Sequence, residues 1–144
     1  ARLFAALARC VEQRLADFSS QGLANTAWAF ARAGHLDAAL FRAMARAAQQ
    51  RLDDFNALDF ANTAWAFAKL GQFDAELFPA LARSAEWHLE RFNAQGLANT
   101  AWAFAKAGHL DARLFAALAR SVERRLDGFN SQDLANTAWA SATL

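Results

Sequence analysis

The sequence predicts an all-α protein made of stacked helical hairpins, and three observations carry that expectation. First, a 37-residue period runs through the chain without an insertion. Trp28, Trp65, Trp102 and Trp139 keep it, as do Phe18, Phe55, Phe92 and Phe129, and Arg9, Arg46, Arg83 and Arg120. Second, alanine, the strongest helix former, supplies 39 of the 144 residues. Third, valine occurs only at Val11 and Val122 and isoleucine is absent, so strands lack the residues they prefer. A period of this length marks repeats that cannot bury their apolar faces alone and must stack. The expected architecture is an α–α solenoid, a right-handed superhelix of about four 37-residue helix-hairpin repeats. It divides into a partial repeat over 1–18, repeats over 19–55, 56–92 and 93–129, and a partial repeat over 130–144. The register is that of a fragment of a longer protein.

The first element is a B helix, from Ala1 to Asp17. An A helix follows, opened by Ser19 and in later repeats by Asn56, Asn93 and Asn130. The side-chain oxygens of these residues can accept from the free N–H groups of the first turn. Phe18 before the cap and Leu23 after it have the spacing of a hydrophobic staple. Asp59 and Asp133 stand three residues after their caps, where a carboxylate favours the positive helix end. Gly34, Gly71 and Gly108 mark the A-helix ends, where a left-handed residue is wanted. The next B helix starts at Asp37, Asp74 or Asp111 and is expected to run to about Leu52, Leu89 or Leu126. Pro79 delays the start of the third B helix. Apolar residues recur at helical spacing in both: Leu23, Ala27, Phe30 and Ala31 in helix A, and Leu40, Phe41, Met44, Ala45 and Ala48 in helix B. The last A helix begins at Ser131.

Several classes drop out. An apolar content of 56% with a net charge of +1 is unlike a disordered chain. One cysteine, Cys10, permits no internal disulfide, and its register is held elsewhere by Ala47, Ser84 and Ser121, so it is read as a small packing residue. No stretch of roughly 18 residues is free of polar interruption, so no membrane insertion is expected. His35, His88 and His109 lie in different repeats, and no His/Cys/Asp cluster, phosphate-cradling glycine loop or activated nucleophile stands out. The expectation is a protein with no metal, no cofactor and no catalytic residue, hence not an enzyme.

The string Leu-Ala-Asn-Thr-Ala-Trp-Ala-Phe-Ala-(Lys/Arg)-x-Gly stands at Leu23–Gly34 and Leu97–Gly108, and with Phe for Leu at Phe60–Gly71. In the last copy Ser141 replaces the core Phe and Thr143 the basic residue. The helix pair resembles the octotricopeptide repeat family of α-solenoids, and it is similar to the helical repeats found ahead of RAP domains in organellar proteins. The Pro-Pro-Pro-Glu-Trp tract often associated with the octotricopeptide family is missing. The resemblance implies single-stranded RNA binding in a chloroplast or mitochondrion, with about one nucleotide per repeat, in RNA processing, stability or translation.

Placed at 100° per residue, the side of helix A opposite Leu23 carries Gln21, Asn25, Ala29 and Arg32. The equivalents are Leu58, Asn62, Ala66 and Lys69; Gln95, Asn99, Ala103 and Lys106; then Gln132 and Asn136. Stacking aligns them into an amide ladder beside a basic ladder, with helices roughly 8–10 Å apart. Amides can bond base edges, and Arg32, Lys69 and Lys106 can pair with phosphates. Asn25, Asn62, Asn99 and Asn136 do not vary, so the alternative is that they bond a neighbour's backbone and hold register. Thr26, Thr63, Thr100 and Thr137 are expected to bond back into their own helices. The position that varies between Gly22, Asp59, Gly96 and Asp133 is the candidate for base choice. The tryptophans at 28, 65, 102 and 139 are expected to fill gaps between repeats. Trp87 replaces polar residues of its register and is a candidate protein contact. The row Arg9, Arg46, Arg83 and Arg120 is expected to form salt bridges between repeats. The competing functional reading is a protein-binding scaffold subunit within a large organellar assembly such as a ribosome or membrane complex.

Overall fold

Local signals start and stop the helices much as their chemistry requires. The computed structural model describes residues 2–143; Ala1 and Leu144, the expected limits of the partial end repeats, lie outside them. Among the described residues there are eight α-helices and no strand: α1 (Arg2–Gln13), α2 (Ser20–Ala33), α3 (Ala38–Gln49), α4 (Ala57–Lys69), α5 (Leu77–Glu86), α6 (Ala94–Lys106), α7 (Ala112–Arg124) and α8 (Ser131–Ala142). The A helices α2, α4, α6 and α8 are capped by Ser19, Asn56, Asn93 and Asn130, which accept from the backbone N–H three residues on at 2.7–3.0 Å. Asp37 and Asp111 do the same for α3 and α7 at 2.9 and 2.8 Å. The staple is visible as the Phe55 and Phe60 rings, 5.3 Å apart. Gly34, Gly71 and Gly108 take φ of 68°, 69° and 72°, the left-handed turn that a side chain would strain.

The third B helix starts late, as Pro79 predicts, and the B helices end earlier than expected, each for an identifiable reason. Pro79 has no N–H to give, so α5 starts only at Leu77, and Asp74 turns its carboxylate to the N–H groups of Glu76 and Leu77 at 2.9 and 2.8 Å. The B helices also end early, at Gln13, Gln49, Glu86 and Arg124. A tight 3-10 turn follows each: Leu15–Asp17, Leu52–Asp54, Leu89–Arg91 and Leu126–Gly128. The residue ahead of each turn, Arg14, Arg51, His88 or Arg125, leaves helical geometry with φ between −119° and −130°.

These turns fasten one repeat to the next. The Arg51 guanidinium donates to the carbonyls of Leu15 and Ala16, each at 3.0 Å, and to that of Phe18. Arg125 reaches Phe92 in the same way. A planar fork of donors suits a cluster of unpaired carbonyls at a turn. His88 holds this register in α5's repeat, and its Nδ1 instead pairs with the Ser84 carbonyl at 2.9 Å while its ring lies on Phe60, 5.6 Å away.

The helices form two layers. Each A helix packs closely along the next A helix, and the B helices α1, α3, α5 and α7 touch one another less. Small side chains allow the close approach: Ala66 and Ala103 lie between A helices with no exposed surface. Phenylalanines join the layers, Phe4 to Phe30 at 5.1 Å, Phe41 to Phe67 at 4.8 Å and Phe78 to Phe104 at 5.3 Å. Alternating layers of this kind are the packing of a helical repeat stack.

Thr26 and Thr137 donate to the carbonyls of Gly22 and Asp133 at 2.7 Å, as expected. Thr63 and Thr100 do not: their hydroxyls are buried and unpaired among the described residues. The exposed row Arg9, Arg46, Arg83 and Arg120 forms no salt bridge; the ion pair among the described residues is Arg113 with Glu86 at 3.4 Å. No helix among those described is long and apolar enough to cross a membrane.

Candidate nucleic-acid interface

Three sides of each inner A helix are covered, and what remains open is a narrow stripe. Leu23, Ala27 and Phe30 face the B layer, and the alanine rows face neighbouring A helices. Ala66 and Ala103, placed by sequence in the polar stripe, are buried against the preceding A helix. At 100° per residue Gln21, Asn25, Trp28 and Arg32 share an arc of about 60°. The open stripe is therefore amide, indole and cation in that order along the helix axis.

The amides are free to bind. Asn25 is exposed, and Asn62, Asn99 and Asn136 are half-buried. Among the described residues, the side chains of Asn25, Asn62 and Asn99 make no hydrogen bond, so the register-holding backbone bond is not formed. Asn136 accepts from the exposed Gln132 at 3.0 Å. Gln21 and Gln95 are exposed. Asn25, Asn62 and Asn99, with Trp28 and Gln95, line one open groove of about 470 Å³. Arg91, from the 3-10 turn before α6, stands at its rim.

The tryptophans belong to this face, which sequence reasoning did not assign to them. Trp28 is 41% exposed and Trp139 46%. The Arg32 guanidinium sits over the Trp28 ring at 5.4 Å, and the Lys106 ammonium over Trp102 at 5.0 Å. These cation–π contacts hold two of the three basic side chains against the stripe. Lys69 is exposed. The rings also meet between repeats, as expected: Trp28 with Trp65 and Trp102 with Trp139, both at 6.4 Å. No such contact joins Trp65 to Trp102 among the described residues. The signal was present in the sequence, since each of the four Trp follows the Asn by three residues and three of them, Trp28, Trp65 and Trp102, precede a basic residue by four.

Asp59 and Asp133 need correction. Both are buried, and each carboxylate accepts from its own cap's backbone, Asn56 N–H at 3.0 Å and Asn130 N–H at 3.1 Å. This is a capping box, and a carboxylate so engaged is not available to read a base. Trp87 lies where expected, 78% exposed at the end of α5. Sequence reasoning also missed Arg51 and Arg125, whose partners lie more than thirty residues away.

Chemically, the stripe offers paired donors and acceptors, aromatic faces and fixed positive charge, a set that matches the ribose, base and phosphate of a single strand. No curated protein matches the chain. A family model described as RNA-editing substrate-binding complex 6 protein matches residues 1–144. That match agrees with the expectation of an RNA-associated helical protein and carries nothing specific to octotricopeptide repeats or RAP domains. An all-helical stack with a free amide–indole–cation stripe, matched along its whole length, belongs to the RNA-editing substrate-binding complex 6 protein family.

Proposed function

We propose that the chain binds single-stranded RNA along the open stripe of its A helices, as part of an RNA-editing substrate-binding assembly. The stack is read as a right-handed α–α solenoid with the tighter A layer on the concave side, similar in logic to octotricopeptide arrays. Arg32, Lys69 and Lys106 hold phosphates, and Asn25, Asn62, Asn99 and Asn136, with Gln21, Gln95 and Gln132, meet the nucleotides. Asp59 and Asp133 are left out because capping occupies them. The role is binding rather than catalysis. The family's name favours a mitochondrion over a chloroplast as the organelle. The observation that carries the reading is the groove in which three unpaired asparagine amides and the Trp28 ring converge.

Fluorescence anisotropy with a randomised RNA pool over a salt series tests it. Binding should weaken as salt rises, because phosphate contacts release counterions. The triple variant Arg32→Glu, Lys69→Glu, Lys106→Glu should abolish it. A folded protein that binds no RNA at low salt refutes the proposal.

A second reading, contact with protein partners, is favoured by Trp87. A ring 78% exposed just after α5 is a strong anchor for an interface. The two readings are compatible, since the proposed RNA stripe lies on the A helices and Trp87 at the end of a B helix.

A further inference from the structure

We propose that the asparagine row reads the ribose 2′-hydroxyl, so that the groove selects RNA over DNA while leaving base identity free. The proposal rests on the RNA reading above and deepens it. A side chain that chooses bases must differ between repeats that meet different bases. Asn25, Asn62, Asn99 and Asn136 are one residue type in one register of four successive A helices. Their partner must therefore recur at every nucleotide.

Two groups recur in that way, the phosphate and the sugar hydroxyl. Phosphate oxygens only accept, and Arg32, Lys69 and Lys106 already offer charge about two turns further along the same stripe. A hydroxyl both donates and accepts, and so does a carboxamide. The 2′-hydroxyl is also the group that separates RNA from DNA.

The geometry suits this match. The amides of Asn25, Asn62 and Asn99 have no partner among the described residues and open onto one groove of about 470 Å³. Neighbouring amides are set by the helix spacing, roughly 8–10 Å, within the reach of successive riboses of an extended strand. The position beside them that does vary is sealed: Asp59 and Asp133 close capping boxes, and a Cβ at Gly96 would stand 3.1 Å from Asn93 Oδ1. Trp28 in the same groove offers a ring face on which any base can stack.

The test compares oligonucleotides of one mixed sequence as RNA, DNA and 2′-O-methyl RNA, together with homopolymer RNAs, by anisotropy on the whole chain. RNA should bind roughly tenfold or more tightly than DNA, several hydrogen bonds being at stake. The 2′-O-methyl strand should behave like DNA, and the homopolymers should differ little. Asn62→Ala with Asn99→Ala removes no internal hydrogen bond, so the fold should persist by circular dichroism. It should pull RNA affinity down towards that of DNA and leave DNA affinity unchanged. Equal binding of RNA and DNA overturns this proposal alone. A preference for poly(A) that the double variant abolishes also overturns it, since an amide pairs in bidentate fashion with adenine. Absence of any RNA binding overturns both this proposal and the reading it rests on.

Discussion

The joint between α2 and α4 and the joint between α4 and α6 repeat the same pair of helices, yet the first carries two fastenings that the second lacks. In the first, the Trp28 and Trp65 rings meet at 6.4 Å on the open face, and Arg51, ahead of α4, clamps the carbonyls of Leu15, Ala16 and Phe18 ahead of α2. In the second, no Trp65–Trp102 contact occurs among the described residues, and His88 holds the register of the arginine clamp without reaching across. Other features alternate in step. Capping boxes close α4 and α8, whereas α2 and α6 carry glycine at that position. Cation–π pairs occur on α2 and α6. The difference teaches that identical consensus residues do not make identical joints: where histidine stands in place of the clamp arginine, the indole contact on the open face is missing as well.

The largest way to break the comparison is Phe60→Ala. Phe60 is 1% exposed and touches Phe55 of its own repeat and Phe92 and His88 of the next, so the second joint is built on it. Its loss should cost about 3–5 kcal/mol in urea denaturation followed by circular dichroism. A cost below about 1 kcal/mol would mean that the cluster closes around the cavity and the second joint does not depend on it. The next effect sharpens the contrast directly. Arg51→Ala, which unfastens the first joint, should lose about 1.5–3 kcal/mol of charge-assisted hydrogen bonding. Conversely, His88→Arg should build the missing clamp and gain a similar amount, less about 0.5–1.5 kcal/mol for the Phe60 stacking it gives up. The net is a stabilisation of about 1 kcal/mol; a destabilised His88→Arg protein would show that the second joint is too wide to clamp. The smallest effect is Gly96→Asp, which copies the capping box of α4 onto α6. It should raise stability by about 0.5 kcal/mol, read as a small rise in Tm. An unchanged or lower Tm would mean that the 3.1 Å approach to Asn93 is not relieved.

Legibility followed the range of the interactions. Helix starts at Asn56 or Asp111 and ends at Gly71 or Gly108 were readable because each depends on atoms within one turn. The clamp of Arg51 was not, because its acceptors belong to a turn 33–36 residues earlier and exist only once the helix tightens. Ala66 was misplaced because alanine is silent on a helical wheel: it suits an open face and a close contact equally. Trp28 was misjudged because a large ring usually goes inward, whereas this one stays 41% exposed with the Arg32 guanidinium over it. Asp59 was ambiguous in a different way. A carboxylate three residues after a cap looks the same whether it serves the helix or a ligand, and only its bond to Asn56 decides. The Asn row was found, but whether its amides were spent on the protein or left free could be seen only with neighbours in place.

The alanines between the A helices also have a metrical role. With no exposed surface at Ala66 and Ala103, a single methyl group sets the pitch of the A layer. The distance from one asparagine amide to the next is thus gauged by a residue that touches no ligand. Any bulkier side chain there would lengthen the step of the array and shift its match to the spacing along a bound strand, without altering one group that the strand meets.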